Sequence, residues 1–454
     1  MSGLRKTTGS TKLGTAAGSQ LVKSQLAHLT KFASDRLKVR KAASELALEL
    51  DTAWKGNLSH PTGPIDVVDM FAGCGGMSAG FLAANSVIPA YRLAMAVDID
   101  ELAMQTYEAN LGLKPCAVDL HRFAKRQTGI VKQVHEARLS KANPLVLIGC
   151  APCQGFSSHR NAHGHSDSRN SLFVTFARIA AAIGPDAIIV ENVPEVITDQ
   201  YWPVMVEARR ILNRAGYQTV LTAHDMSEFG VPQQRYRAVM IAMRRPFRMP
   251  RGFLGGEERR TVRQAIGALP EIAAGEVCST DPMHFTAGHR PSTIQTIMAV
   301  PLDGGRRPPN VGPECLRRAA DRQGRSAYDD VYGRLWWDKP SITITGHARN
   351  PASGRYVHPT QHRGLSVREA ALLQGFPSRW LFSGGLGPAF MQVGNAVPPA
   401  FAAFLAVHMI GEMMGPAVEK LDTEVDITQS VGPSFSRLIP ALKAGHRHLH
   451  PPAL

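Results

Sequence analysis

The chain has 454 residues, 44% of them hydrophobic and 19% charged, which is typical of a globular protein with room for a large core and a second, smaller domain. Its formal net charge of +14 indicates a polyanionic partner such as nucleic acid, although a basic tail would give the same balance. Six scattered cysteines do not form a disulfide framework, which favours a reducing cytoplasm. We find no apolar run approaching the length of a membrane span and no secretory signal, so no membrane partner is expected.

Residues 1–62 are predicted to form a basic N-terminal extension. Its first part is rich in Gly, Ser, Thr and Lys, and leucines then recur at roughly helical spacing between Leu21 and Leu50. This pattern predicts a helical arm. Packing against the core is its favoured role, and contact with DNA is the alternative.

Residues 63–245 are predicted to form an α/β domain. Fully apolar strands that alternate with helices are typical of a mostly parallel sheet covered on both faces. The predicted strands are Ile65–Phe71, Leu93–Val97, Pro115–Val118, Leu145–Ile148, Ala187–Val190 and Ala238–Ala242. The predicted helices are Leu102–Asn110, Leu172–Ile183 and Val204–Ala215.

The regular alternation fades after Arg245. Residues 246–392, richest in Pro, Gly and Arg up to about Tyr356, are predicted to form a smaller, irregular domain with a helix near Ser366–Gln374. Residues 393–415 contain an apolar run that is expected to return as a helix to the first domain. Residues 416–454 are expected to be a dispensable C-terminal tail.

The most informative stretch begins at Leu145. Its apolar start predicts a buried strand, and the following Pro-Cys-Gln-Gly predicts a loop that presents Cys153 as a candidate nucleophile. Cys150 forms a C-x-x-C pair with Cys153, so a redox couple or a zinc site with His159 and His163 are alternatives. Because Cys150 ends an apolar strand, it is more simply a buried packing residue, and no metal is expected.

A glycine-rich turn, Phe-Ala-Gly-Cys-Gly-Gly, joins the first strand to a helix. Gly73, Gly75 and Gly76 would let the backbone turn tightly and approach a ligand ahead of a helix N-terminus. Asp98 could bind ribose hydroxyls and Asp119 an adenine edge, although each could instead cap a helix or a turn. Without a strict G-x-G-x-x-G or a Gly-Lys-Ser/Thr phosphate loop, S-adenosylmethionine is favoured over a nicotinamide cofactor or ATP.

Six short blocks, in order along the chain, resemble the 5-methylcytosine DNA methyltransferase family of bacterial type. The resemblance covers Ile65 to Ile410 and implies a Rossmann-like, S-adenosylmethionine-dependent methyltransferase fold, with target recognition in residues 246–392. The blocks are Phe71-Ala-Gly-Cys-Gly-Gly, Gly149-Cys-Ala-Pro-Cys-Gln-Gly-Phe-Ser, Glu191-Asn-Val, Phe229-Gly-Val-Pro-Gln-Gln-Arg-Tyr-Arg, Arg368-Glu-Ala-Ala-Leu-Leu-Gln-Gly-Phe-Pro and Gly394-Asn-Ala-Val-Pro-Pro.

The resemblance also implies roles for the matching residues. Cys153 would be the nucleophile, Glu191 and Arg237 would hold the target base, and Arg235 would lie nearby as a fourth catalytic residue. The residues expected to bind S-adenosylmethionine are Phe71, Gly73, Gly75, Gly76, Asp98, Ile99, Asp119, Leu172 and Asn395. The residues expected to contact DNA are Gln154, Ser157, Arg306 and Arg307.

The activity implied by the resemblance is methylation of carbon 5 of a flipped-out cytosine in a specific duplex DNA sequence, through a covalent adduct with Cys153. We expect a monomeric, cytoplasmic, nucleoid-associated bacterial enzyme of a restriction–modification system or of epigenetic DNA methylation. A cognate restriction endonuclease is its candidate partner. The alternatives are a transfer-RNA cytosine-5 methyltransferase, which Gly155, Phe156 and Ser157 disfavour, and a non-catalytic DNA-binding protein, which the intact catalytic residues disfavour.

Overall fold

The computed structural model describes residues 16–55, 63–151, 170–317, 328 and 330–432. Three of the predicted site residues, Cys153, Gln154 and Ser157, therefore lie outside the described residues. The same holds for His159 and His163, on which the zinc alternative depends.

A seven-stranded sheet in the order β3-β2-β1-β4-β5-β7-β6 lies at the centre of the described chain. Strands β1 to β5 pair in parallel, and β7 runs antiparallel to both β5 and β6. The predicted α/β class with a mostly parallel sheet is confirmed, although β6 was missing from the predicted strands. The strands are β1 (Ile65–Met70), β2 (Tyr91–Asp98), β3 (Cys116–Ala117), β4 (Leu145–Gly149), β5 (Ala187–Asn192), β6 (Gln218–Asp225) and β7 (Tyr236–Met243).

Helices cover both faces of the sheet, so the central strands are apolar on both sides. In β4, Val146 and Ile148 contribute to the core on one face, whereas Leu145 and Leu147 contribute to the core on the other. The helices are α1 (Ala16–Ala33), α2 (Arg36–Leu48), α3 (Leu50–Lys55), α4 (Gly76–Ala83), α5 (Glu101–Leu111), α6 (Thr128–Ala137), α7 (Asn170–Ile183), α8 (Trp202–Arg214), α9 (Val262–Ile266), α10 (Pro291–Met298), α11 (Val367–Leu373), α12 (Leu386–Asn395) and α13 (Pro399–Met414).

The described part of the N-terminal extension packs into this core. Leu29 and Val39 belong to the same buried cluster as the apolar residues of α13. Beyond them, the Asp51 carboxylate accepts a hydrogen bond from the Ser378 backbone N–H at 2.7 Å. The helices α1 to α3 are therefore an integral part of the sheet lobe, by which we mean the strands β1 to β7 and the helices that cover them. This is the packing role that their leucine spacing favoured.

One stretch, Leu386–Met414, has the length and hydropathy of a membrane span, contrary to the sequence expectation. It consists of α12 and α13, which are separated by a break that includes Pro398. Within its most apolar window, 89% of the residues are buried inside the protein. The apolar residues of α13 belong to the core that also contains residues of the sheet.

The first part of the predicted C-terminal tail is bound along the edge of the sheet, which corrects the expectation of a dispensable segment. The Ile427 N–H donates to the Leu221 carbonyl, and the Leu221 N–H donates to Asp426 Oδ1, both at 2.8 Å. Asp426 also pairs with Arg209 at 2.7 Å. The physical reason is that β6 is an edge strand, whose free backbone groups need partners.

Residues 246–392 are built mainly from turns and short helices. Some of their apolar side chains, including Leu335 and Trp380, share a core with Tyr107 of the sheet lobe. A smaller cluster contains Ile297 and Val357. Because much of this region shares its core with the sheet lobe, a separate target-recognition domain stays a prediction.

Candidate active site

The order of the strands reverses between β1 and β4, where open α/β sheets bind their ligands at the carboxyl ends of the strands. The glycine-rich turn follows β1 at this point, and Phe71 and Gly73 adopt positive φ angles of 62° and 52°. A Cβ on Gly75 would lie 2.6 Å from Leu111 Cδ1, and one on Gly76 would lie 2.3 Å from the Val397 carbonyl. At Gly73 a Cβ would meet nothing within 4 Å, so this side of the turn is open to a ligand.

The carboxylate of Asp98 fixes this turn to the end of β2. Asp98 Oδ2 accepts from the Gly73 N–H at 2.7 Å, and Oδ1 accepts from the N–H groups of Ile99 and Asp100 at 2.8 and 2.9 Å. A carboxylate has lone pairs for about four bonds, so further acceptor capacity remains. The neighbouring Ile99 side chain is 71% exposed and offers an apolar surface beside that carboxylate.

The other residues predicted to bind the methyl donor S-adenosylmethionine are distributed around the same edge of the sheet. Asp119 follows β3, and its carboxylate accepts from the His121 N–H at 2.9 Å, so it caps the short helical turn Leu120–Phe123. Asn395 is exposed at the end of α12, whereas Leu172 is buried in α7. Capping was the alternative considered for Asp119, and it is compatible with ligand contact through the remaining acceptor capacity of the carboxylate.

A buried polar chain that the sequence analysis did not identify lies at the end of β1. Ser78 donates to Asp69 Oδ2 at 2.5 Å, and the Tyr107 hydroxyl donates to Ser78 Oγ at 2.9 Å. Burial raises the pKa of Asp69 to about 7 against the effect of the Ser78 hydrogen bond, and the negative charge of Asp98 adds to the rise. These hydrogen bonds connect β1, α4 and α5 around the glycine-rich turn.

Glu191 and Arg237 form a buried ion pair at the same edge of the sheet. Glu191 Oε1 lies 3.0 Å from Arg237 Nε, and the two side chains are 7% and 11% exposed. Because β7 runs antiparallel to β5, its first residues lie beside the carboxyl end of β5, which brings the two side chains together. Burial raises the pKa of Glu191, and the charges of Arg237 and Arg235 oppose that rise.

The start of the loop that carries Cys153 is attached to the Glu191 strand. Gly149 pairs in register with Val190, so Cys150 lies beside Glu191, and its thiol donates a hydrogen bond to the carboxylate. Next to it, Asn192 Nδ2 donates to the Ala151 carbonyl at 3.2 Å. The chain thus leaves β4 directly next to the Glu191–Arg237 pair.

Arg235, which the resemblance places near Glu191 and Arg237, binds backbone carbonyl groups. Its side chain is fully buried and donates to the carbonyls of Ile344, Gly394 and Ala396 at 3.0, 2.8 and 3.3 Å. These bonds hold the turn that carries Asn395 against the segment from residues 246–392. The charge of Arg235 also opposes the rise in the pKa of Glu191 that burial causes. Its role as a fourth catalytic residue stays a prediction.

The two arginines predicted to contact DNA also differ from each other. Arg307 is 2% exposed and donates to the carbonyls of Pro308 and Val311, so it stabilises its own loop. This corrects its predicted contact with DNA, because a buried guanidinium cannot reach a phosphate. Arg306 is exposed, and its contact with DNA stays a prediction.

Comparison with known proteins agrees with this architecture. The family model described as C-5 cytosine-specific DNA methylase matches residues 65–411. The type II methylase M.HgiDII of Herpetosiphon aurantiacus is 31% identical, over 75% of this chain and 93% of that protein. The type II methyltransferase M1.HphI of Haemophilus parahaemolyticus is also 31% identical, over 75% of this chain and 85% of that protein.

A solved structure supports the fold. A putative DNA modification methyltransferase encoded within an E. coli prophage superposes with a TM-score of 0.54 at 22% identity, covering 76% of this chain and 98% of that one. The matched blocks, the reversed strand order and the family match over most of the chain lead to one assignment. The chain belongs to the C-5 cytosine-specific DNA methylase family and is an enzyme of the DNA (cytosine-5-)-methyltransferase class.

Proposed function

We propose that this chain transfers a methyl group from S-adenosylmethionine to carbon 5 of a flipped-out cytosine in a specific duplex DNA sequence, with Cys153 as the nucleophile. The observation that carries the proposal is the buried Glu191–Arg237 pair, which lies next to the start of the Cys153 loop. A carboxyl group and a guanidinium in this position can bind the polar edge of a cytosine while a thiol attacks the ring.

The turn after β1 has the features that a methyl donor of this kind needs. Gly73 leaves backbone open to a ligand, Asp98 keeps acceptor capacity for ribose hydroxyls, and Ile99 offers an apolar surface to an adenine. We assign the donor to this turn, with Phe71, Asp119, Leu172 and Asn395 as further predicted contacts. When bound, S-adenosylmethionine supplies an electrophilic methyl group on a sulfonium.

Carbon 5 of cytosine is a poor nucleophile, and the proposed reaction solves this by covalent catalysis. The Cys153 thiolate adds to carbon 6, forming a carbon–sulfur bond and moving the ring electrons towards carbon 5. Carbon 5 then attacks the methyl group, whose bond to the sulfonium sulfur breaks with the electron pair staying on that sulfur, so that a neutral thioether leaves. A base, for example a water molecule, then removes the proton from carbon 5. The electrons of that bond re-form the ring double bond as the Cys153 thiolate leaves.

Glu191 and Arg237 would stabilise the charge that develops on the ring. Burial raises the pKa of Glu191 against the charges of Arg237 and Arg235, and its carboxyl group would hydrogen-bond at ring nitrogen 3 and the amino group of the cytosine. Arg237 would donate near the oxygen at carbon 2. Because both ring faces must be reached, the cytosine has to leave the base stack and enter this edge of the sheet.

The names of the relatives suggest the cellular role. Both relatives are named as type II enzymes, one a methylase and the other a methyltransferase. We propose for this chain the role of a monomeric partner of a restriction endonuclease in a restriction–modification system.

The test is bisulfite sequencing of DNA from a methylation-free host that expresses the chain, beside Cys153→Ala and Glu191→Gln. Wild type should protect cytosines within one short motif, Cys153→Ala should protect none, and Glu191→Gln should lower the rate by about 10²-fold or more. Protection that survives in Cys153→Ala would contradict the covalent mechanism.

A second experiment addresses the RNA alternative and the adduct. A duplex with 5-fluorocytosine in the protected motif should become covalently attached to wild type but not to Cys153→Ala, because the carbon-5 fluorine cannot be removed as a proton. Purified transfer RNA should accept no methyl group under the same conditions. Methylation of transfer RNA, with no cytosine protected in DNA, would replace the DNA assignment.

A further inference from the structure

A cavity of about 280 Å³ opens on the surface of the region 246–392, outside the site described above. Its polar and charged lining comes from two sequence-distant segments, and one helix begins at its wall. The lining residues that carry the argument are His289, His347, Arg349, Asn350, Ser353 and Leu386.

The loop that forms one wall is held in shape by its own hydrogen bonds. Ser353 Oγ donates to the carbonyls of His347 and Asn350, both at 2.7 Å, and Asn350 Oδ1 accepts from the Ala352 N–H at 3.0 Å. The side chains of His347 and Arg349 remain exposed on this loop. Because the backbone of this loop is braced, less of its conformational freedom is lost when a ligand binds.

The opposite wall supplies donors. His289 Nε2 accepts from the Gly364 N–H at 3.1 Å, and burial lowers the pKa of His289, so the neutral ring carries its proton on Nδ1. Leu386 is the first residue of α12, whose N-terminus has no side-chain cap at Gly385. The free N–H groups of such a helix end favour an anion, which adds to the basic side chains of the cavity.

The cavity lies close to the catalytic machinery. Gly346, one residue before His347, packs so tightly on Gly394 that a Cβ on Gly394 would lie 2.2 Å from the Gly346 N. Gly394 directly precedes Asn395, and Arg235 binds the carbonyls of both Ile344 and Gly394. A ligand held at His347 and Arg349 would therefore be bound to a segment that packs against the turn carrying Asn395, one of the predicted contacts of the methyl donor.

We propose that this cavity binds a backbone phosphate of the duplex DNA substrate, with Arg349 and His347 as the ligands that hold the strand in register with the active site. The inference rests on the proposed function, because that function makes DNA the polyanion in question. A guanidinium, an imidazole and a helix N-terminus that share one concave surface suit a compact anion better than the flat edge of a base pair.

The test measures binding of an arbitrary-sequence duplex of about 30 base pairs, by fluorescence anisotropy across a salt series, for wild type, Arg349→Ala, His347→Ala and Arg349→Lys. Arg349→Ala should weaken binding about tenfold and reduce the slope of log affinity against log salt by about 1. His347→Ala should weaken binding less. Arg349→Lys should keep most of the affinity, since a phosphate needs a point charge whereas a base edge needs the bidentate fork.

The matched control is Arg214→Ala, which removes an exposed arginine at the end of α8 in the sheet lobe. Arg214→Ala should leave the affinity for the duplex and the salt slope unchanged. Inorganic phosphate at low millimolar concentration should also leave the wild-type affinity unchanged if the site takes phosphate only as part of a strand. Binding of free phosphate to wild type that is lost in Arg349→Ala, with no loss of duplex affinity in that variant, would instead identify a site for the free anion and overturn the DNA contact.

Three outcomes decide between this inference and the proposed function. If wild type methylates DNA but Arg349→Ala keeps the wild-type affinity and salt slope, the phosphate site is wrong and the methyltransferase assignment stands. If Arg349→Lys loses binding as fully as Arg349→Ala and changes the protected motif, the residue reads a base. Wild type that binds no duplex overturns both proposals.

Discussion

The sheet lobe and residues 246–392 use buried charge in opposite ways. In the sheet lobe the strands are apolar, and the buried charges at the active-site edge, Asp69 and Glu191, have pKa values raised by burial. In residues 246–392, fully buried arginines replace part of the apolar core. Arg334, for example, donates to the carbonyls of Val300, His358, Gln361 and Ile297.

The difference shows that the number of arginines in an irregular region does not give the number of its DNA contacts. Arg307, Arg334 and Arg355 are each buried and bonded to backbone carbonyls, so part of the chain's positive charge holds loops together. Arg306 and Arg349 are exposed, and their contact with DNA stays a prediction.

The largest expected effect tests the apolar side of this comparison. Phe401 is fully buried in α13, where its ring packs edge-on against the ring of Phe229 with 5.0 Å between the ring centroids. Phe401→Ala should lower the free energy of unfolding by about 3–5 kcal/mol through lost burial and an unfilled cavity, measured by urea denaturation. The exposed Leu37, replaced by Ala, is the control and should change stability by less than about 0.5 kcal/mol.

Two buried carboxyls sharpen the comparison through pH. Asp69 has a pKa raised to about 7 by burial, so the folded protein holds its proton more tightly than the unfolded chain does. Its contribution to the free energy of unfolding is therefore complete below about pH 4. As the pH rises towards 7, about 4 kcal/mol of this contribution is lost. Asp69→Asn should remove this decline in an unfolding series.

Glu369 should behave with the opposite sign. Burial favours its neutral form, but the Arg363 guanidinium at 2.7 Å and the charge of His358 outweigh burial and lower its pKa to about 2. Its contribution is present above about pH 4.5 and is lost as the pH falls towards 2. A Glu369→Gln variant whose stability profile below pH 4.5 matched wild type would contradict this ion pairing.

The arginine framework of residues 246–392 gives the next effect. Arg334→Met keeps much of the side-chain volume but leaves several buried carbonyls without donors, which should cost about 3 kcal/mol. Thermal unfolding followed by circular dichroism measures it. Arg306→Met, at an exposed position of the same region, serves as the comparison, and equal losses in both variants would show that burial is not what matters.

The smallest effect concerns the edge of the sheet. Asp426→Ala removes the acceptor for the Leu221 N–H and the partner of Arg209, and should cost about 1–3 kcal/mol. Glu424→Ala, two residues earlier and exposed, should be close to neutral. Identical urea midpoints for the two variants would mean that residues 416–432 do not stabilise β6.

The strands with uninterrupted apolar runs could be read from the sequence, because both of their faces are buried. Strand β6 could not, since Gln218, Thr219, Thr222 and His224 interrupt its apolar pattern. Glu191 and Arg237 were found through short blocks, and the structure pairs them. The place of Arg235 depends on Ile344, Gly394 and Ala396, whose proximity is a property of the tertiary fold that no local pattern contains.

The segment along β6 also bears on the solubility of shortened chains. A protein ended near Gly415 would retain the residues of the family match and the helix α13. It would nevertheless expose the backbone N–H and carbonyl of Leu221, in the middle of the edge strand Gln218–Asp225, to other molecules. An exposed edge is a template for strand-to-strand pairing, so we expect a truncated enzyme to self-associate more readily than the full chain.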